Sequence, residues 1–250
     1  MTLFPFPLAE LRRLADELGF VLYFDGAHQA GLCAGGQFQD PLAEGADVLT
    51  GSTGKTFSGP QGGVIAYRRP EHDRLIRPVI FPALAATHQV NRVAALAIAA
   101  AEMLEFGRAY MARIVANAQA LGAALTARGF TLLGAHKGFT RTHQVIVDLS
   151  AGVGGYEAAR LLDRANIVAN KNLLPSDRPE DWARPGGLRL GTTEAARLGM
   201  GKAEMDQIAE WFHRVLIAGE APERIAAEVR GFREDFQTVY YCFENGVPPR

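Results

Sequence analysis

The chain has 250 residues, of which 48% are hydrophobic and 21% charged, with a formal net charge of −1. That length accommodates one large domain or two small ones around a real core, and the charge balance offers no basic face for nucleic acid. The longest apolar run, "VAALAIAAA" at 93–101, is far too short to cross a bilayer, so neither nucleic acid nor membrane is an expected partner.

Leu8, Leu11, Leu14, Ala15 and Leu18 mark one face of a helix, with Pro7 near its start and Gly19 at its stop. "FVLYF" at 20–24 follows as a continuous apolar run, the pattern of a buried parallel strand. Asp25 ends it and Gly26 turns the chain. "ADVLT" at 46–50 and "GVIAYR" at 63–68 are two further strands. Short strands separated by helices imply an α/β sheet covered on both faces.

From about His88 to Arg128 the pattern is helical and alanine-rich, with a break expected near Phe106 and Gly107. Strands are expected at 131–133 and 144–149, a helix at 156–165, and a strand at 187–191 that ends on a glycine. Met205, Ile208, Phe212 and Val215 define an amphipathic helix, and another runs from about 222 to 232. There is no internal repeat and no low-complexity linker. The expected division is a sheet-bearing part over 1–105 and an α+β part over 106–250. The N-terminus has no basic segment ahead of an apolar one. Cys33 and Cys242 have neither metal-ligand spacing nor a disulfide framework, so two thiols in a reducing, cytoplasmic compartment are expected.

The segment "TGSTGKTFSGPQGG" at 50–63 contains G-K-T, the end of a phosphate-cradling P-loop. The first glycine of that motif would fall at Leu49. A helix would also have to begin at the lysine, yet Pro60 and a series of glycines follow. The nucleotide reading fails on both counts. What remains is Lys55 on a glycine-rich turn between two strands, flanked by Thr53, Thr56 and Ser58, with no acidic neighbour in sequence. An amine in such a place can act as a nucleophile toward an aldehyde. If that aldehyde belongs to pyridoxal phosphate, an acid should stand at the end of a neighbouring strand to pair with the ring nitrogen. Asp25, which closes "FVLYFD", fits that requirement.

At "YFDGAHQAGLCAGGQF" and "GADVLTGSTGKTFSGPQGGVIAY" the chain resembles serine hydroxymethyltransferases, and most closely their archaeal-like branch. The resemblance continues through "IFPALAATHQVNRVAALAIA", "HQVIVDL", "NIVANKNLLPSD", "GGLRLGTTEAARLGM" and "FQTVYYCFENG". It implies an α/β fold: part of the large domain of a fold-type-I pyridoxal-phosphate transferase, followed by an α+β small domain. It also implies roles. Lys55 would carry the cofactor and Asp25 would pair with its ring nitrogen. His28 would lie by the ring and the substrate. Gly62 and Gly63, or Ala86 and Thr87, would approach the phosphate, in part across a dimer interface. Arg189 would clamp the substrate carboxylate with a planar, permanently charged fork. Asn172 would lie near the folate carrier. The implied reaction moves a hydroxymethyl group between serine and tetrahydrofolate, giving glycine.

Two departures from the family stand out. Histidine is expected before the lysine, and here it is Gly54, which predicts weakened catalysis or a shifted preference. The match also starts well inside the family's large domain. The family's phosphate-gripping residues, its stacking aromatic and its folate-linked carboxylate therefore have no counterpart here. Three readings follow: a transferase that needs a second copy or a chain supplying the unmatched half, a folate-independent aldol lyase resembling threonine aldolase, or a non-catalytic partner of another chain. Exposed apolar edges are expected in each.

Overall fold

The computed structural model describes residues 2–87 and 89–249. The chain divides into two compact units, one comprising Pro5–Ala112 and the other Arg113–Arg250 with Met1–Phe4.

The first unit opens with helix α1 (Leu8–Leu18), which Gly19 closes in the left-handed conformation at φ 74°, its N–H donating to Ala15. Strands β1 (Tyr23–Asp25), β2 (Val48–Ser52) and β3 (Gly63–Tyr67) form one sheet in that order. β1 and β2 are parallel, and β3 returns antiparallel. Between β1 and β2 lies the short helix α2 (Ala30–Ala34). Leu8 and Ala15 of α1 pack with Leu22, Phe24 and Ala46 into a small core on one face of the sheet.

Two sequence expectations are corrected here. The strand begins at Tyr23 rather than Phe20 and includes Asp25. Before it, the Leu22 N–H donates to the buried carboxylate of Asp47 at 2.8 Å instead of to a strand. At its end, the Gly26 N–H continues the ladder to the Thr50 carbonyl at 2.8 Å. The run is also not covered on both faces: Leu22 and Phe24 are buried, whereas Val21 and Tyr23 are 62% and 54% exposed. The continuous apolar pattern therefore conceals an alternation.

α3 (Pro70–Pro78) and a kinked segment at Val79–Leu84, extended at Phe81, precede the 38-residue helix α4 (Val90–Ala127). His88, where the sequence pattern starts that helix, lies outside the described residues. No break occurs at Phe106–Gly107. A Cβ on Gly107 would stand 2.4 Å from Met103 Sδ, and one on Gly35 would stand 2.6 Å from the Gly107 carbonyl. The glycine serves close packing inside a continuous helix, which outweighs its intrinsic cost of about 1 kcal/mol.

The second unit is an antiparallel sheet backed by helices. Its strands, β4 (Thr131–Leu132), β5 (Gln144–Asp148), β6 (Asn170–Asn172) and β7 (Gly187–Gly191), are ordered β4-β5-β7-β6. Val145, Val147, Leu188 and Leu190 alternate onto one face. There they join Ala158 and Leu162 of α5 (Gly154–Arg164), Met205, Ala209, Phe212 and Val215 of α7 (Lys202–Leu216), and Ile225 and Val229 of α8 (Pro222–Glu234) in one core. A short helix, α6 (Thr193–Arg197), follows β7 directly.

Candidate active site

Asp25 and Lys55 reach the same end of the first unit's sheet by different routes. Asp25 is the last residue of β1 and lies opposite Thr50 of β2. Its Oδ1 accepts the Ala27 N–H at 3.0 Å, which turns the chain away from the sheet. Gly26 makes that turn close to β2, since a Cβ there would stand 2.9 Å from the Thr50 carbonyl oxygen. β2 ends at Ser52, and Lys55 follows within three residues. A carboxylate and an amine thus stand beyond the carboxyl ends of adjacent parallel strands, the place where α/β sheets bind ligands.

Two buried threonines shape the lysine turn. The Thr53 N–H donates to the Gly62 carbonyl at 3.0 Å, and its own carbonyl accepts the Gly59 N–H at 2.7 Å. Its hydroxyl donates to the Pro60 carbonyl at 2.6 Å. The Thr56 hydroxyl donates to the His28 carbonyl at 2.9 Å and accepts the Gly31 N–H at 3.0 Å. Thr56 thereby ties the lysine turn to the loop that carries His28. The approach demands glycine at 31, because a Cβ would sit 2.2 Å from the Thr56 carbonyl oxygen. Ser58, at φ 58°, exchanges a hydrogen bond with the Tyr110 hydroxyl at 3.1 Å. In the sequence Thr53 and Thr56 are legible only as small neighbours of Lys55, a T-x-x-T pair bracketing the lysine. No helix starts at Lys55: residues 53–57 are turns, which agrees with rejecting a P-loop.

Lys55 and Asp25 are both exposed. Among the described residues Lys55 makes no ion pair or side-chain hydrogen bond, and the carboxylate of Asp25 has only its contact with Ala27. His28 is half-buried in the turn before α2. Gly63 opens β3 opposite Ser52, and a Cβ there would meet only the Gly51 carbonyl oxygen, at 3.6 Å. Ala86 and Thr87 are exposed and outside regular structure. The nearby Cys33 is no candidate nucleophile: burial, with Asp40 and Glu44 adding to it, pushes its thiol up to about 12.

In the second unit Arg189 sits in β7, flanked in register by Ile146 of β5 and Asn170 of β6. Its guanidinium has no hydrogen-bond or ion-pair partner among the described residues. Arg128 and Arg214 of the same unit, by contrast, each hold two carboxylates. Asn172 lies opposite Gly187, and its Nδ2 donates to the Leu173 carbonyl at 2.6 Å. Asn170 was missed from sequence. It shares the register position of Arg189, and the alternation in "NKN" places it on the same side of β6 as Asn172. A cavity of about 310 Å³ opens here, lined by Ile167, Asn170, Arg189, Thr192, Met205 and Phe212 among others.

The first unit's donor set fits pyridoxal 5′-phosphate. It offers an unpaired amine for the carbonyl carbon and, on the adjacent strand, a carboxylate with an oxygen to spare for the ring nitrogen. A strand-end lysine, a neighbouring strand-end acid and a following α+β unit make this a pyridoxal-phosphate transferase fold. The chain is similar to the crystal structure of L-threonine transaldolase from Pseudomonas fluorescens in its internal aldimine state. The TM-score is 0.86 and the identity 30%, over 97% of this chain and 55% of that one.

The family model for serine hydroxymethyltransferase matches residues 6–212, and the chain belongs to the serine hydroxymethyltransferase family. It is 49% identical to the serine hydroxymethyltransferase of Thermococcus kodakarensis over 99% of its length, and 48% identical to that of Pyrococcus horikoshii over 98%. The chain spans 58% of the length of each of these curated relatives. Pyridoxal 5′-phosphate is the cofactor of this family. Among the described residues no helix is long and apolar enough to cross a membrane.

Proposed function

We propose that the chain carries the lysine-bearing part of a serine hydroxymethyltransferase site, which transfers a hydroxymethyl group reversibly between serine and tetrahydrofolate to give glycine. One observation carries this reading: Lys55 and Asp25 stand unpaired at the ends of adjacent parallel strands. Pyridoxal phosphate, when bound, supplies an electron sink for the carbon whose bond is broken.

The residues of the chain do the rest. Lys55 presents the amine that holds the carbonyl carbon, on a turn fixed by Thr53 and Thr56. Asp25 presents a carboxylate that keeps the ring nitrogen protonated, while its other oxygen is committed to Ala27. His28 lies on the loop that Thr56 ties to this turn, from which it would serve the ring and the substrate. Arg189 would take a substrate carboxylate through two parallel hydrogen bonds, a hold that would orient an amino acid for reaction. Asn172 belongs to the folate side, and Gly63 with Gly62 leaves room for the phosphate. The sheet-bearing part acts as the cofactor domain and the α+β part as the small domain.

The partner is a second copy or a chain that supplies the remainder of the family's length. Exposed Val21 and Tyr23, on a strand with no described neighbour at its outer edge, support it. The free thiols Cys33 and Cys242 support a cytoplasmic setting. A second reading, folate-independent aldol chemistry, is favoured by the likeness to a threonine transaldolase.

The test is to mix the chain with pyridoxal phosphate, alone and with the complementary part of an archaeal relative, then reduce with borohydride and map the tag. A pyridoxyl group on Lys55 is expected. Its absence in both mixtures would leave only the role of a non-catalytic partner. Serine cleavage with and without tetrahydrofolate then separates the two chemistries.

A further inference from the structure

The lysine turn folds back on itself. Thr53 is joined to Gly59, Pro60 and Gly62, and this brings Gln61 over Gly54. A Cβ built on Gly54 would stand 3.1 Å from both Cδ and Oε1 of Gln61 and 3.3 Å from its Cα. Gly54 is not in a conformation reserved for glycine, since its φ lies outside the positive range. What makes position 54 bare is therefore not backbone strain. A side chain there would press on Gln61, whose carboxamide would have to give by a few tenths of an ångström.

That side chain has a further property. Its carboxamide makes no hydrogen bond to any described residue, although it carries two donors and an acceptor. It is exposed and sits against the residue that precedes Lys55.

We propose that Gln61 is a positioning residue for the group held by Lys55, supplying from across the turn the polar side chain that residue 54 lacks. This rests on reading Lys55 as the cofactor lysine. Positions 54 and 61 form a coupled pair in which one side chain serves both. The group so placed is neutral and does not titrate, so it adds no protonation step of its own near neutral pH.

The test uses the chain with Gly54→His, Gln61→Ala, Gln61→Asn and the double variant Gly54→His/Gln61→Ala. Melting of the cofactor-free protein reads the coupling. Gln61→Ala alone should leave the midpoint within about 1 °C, and Gly54→His should lower it by about 1–2 °C more in the chain with Gln61 than in the Gln61→Ala background. Additive effects would overturn the shared-space argument.

Pyridoxal phosphate with borohydride trapping reads the positioning role, with Lys137, Lys171 and Lys202 as internal controls. Gln61→Ala should slow tagging of Lys55 by about five- to tenfold relative to those lysines, the size of one lost hydrogen bond. Gln61→Asn should restore part of it. Tagging at the unsubstituted rate in Gln61→Ala would overturn the proposal. Were Lys55 in the unsubstituted chain to tag no faster than the controls, the cofactor-lysine reading would fail, while the melting data would still decide the coupling.

Discussion

The two units bury their side chains very differently. The unit of residues 113–250 closes around one core, in which Phe212, Leu188, Ile225 and Met205 are almost wholly removed from water. The unit of residues 5–112 has the small core under β1 and leaves large apolar side chains in solvent, Leu75, Leu84, Val90 and Leu104 among them, the last at 91%. In the second unit Arg128 and Arg214 are held by carboxylates, whereas the guanidinium of Arg189 is free. In the first, the two groups nearest the expected chemistry are both unpaired. A surface left open to water in both its apolar and its charged parts is one suited to being covered by a ligand and by a partner. A self-sufficient core is suited to presenting one arginine from a rigid sheet.

The largest test of this contrast is Lys55→Ala. It should remove the pyridoxyl tag from that turn entirely, read by peptide mapping, and shift the melting midpoint by no more than about 2 °C, because an exposed, unpaired lysine contributes little to folding. A large fall in stability would mean that Lys55 is held within the fold rather than presented by it. Next in size is a matched pair of truncations. Phe212→Ala empties part of a closed core and should cost about 3–5 kcal/mol in denaturant unfolding. Leu104→Ala removes a side chain that touches little and should cost less than about 0.5 kcal/mol in the chain alone. A larger cost for Leu104→Ala that appears only when the complementary part is present would locate the covering partner on that face of α4.

Arg189→Lys comes third. It keeps the charge and loses the planar fork. Half-saturation by serine should rise about tenfold, the worth of one charge-assisted hydrogen bond, with the chain's melting unchanged. An unaltered serine requirement would mean that this arginine is free for some other reason.

Much of this arrangement could be read from the sequence, and the parts that could not have physical causes. The helix at 8–18 is legible by its period and by the proline and glycine at its ends, and the one beginning near 222 by its amphipathic pattern. β7 is legible as a short run that ends on a glycine. Asp25 and Lys55 stand out in the sequence as candidates because their chemistry is scarce: a lysine among glycines and an acid closing an apolar run. Three things were hidden. The open face of β1 was masked because Val21 and Tyr23 are apolar yet exposed, and a linear pattern does not record what lies on the far side of a sheet. The continuity of α4 was masked because Gly107 is there for the close approach of Gly35, a contact between distant positions. The contact of Gln61 with Gly54 depends on a turn whose closure by Thr53 involves hydrogen bonds that no periodicity announces.

The smallest effect concerns pH and tests whether the open unit has any strong internal anchor. Asp47 is buried, and its carboxylate accepts the Leu22 N–H and an Arg12 N–H, each at 2.8 Å. Burial pushes its pKa up, but the Leu22 and Arg12 hydrogen bonds together outweigh it, and the group is held below its ordinary value of 3.8. A carboxylate with a depressed folded-state pKa stabilises the fold above its unfolded value, and that contribution is lost as pH falls through the folded value. Asp47→Asn should therefore be less stable than the unsubstituted chain at neutral pH, and the gap should narrow as the solution is acidified below the ordinary carboxylate range. Amide exchange along β1 and β2 is the suitable readout, since it reports local opening of this sheet separately from the closed core. If the gap stays constant with pH, Asp47 acts through its shape alone, and the strand bearing Asp25 is fixed by α1 packing rather than by charge.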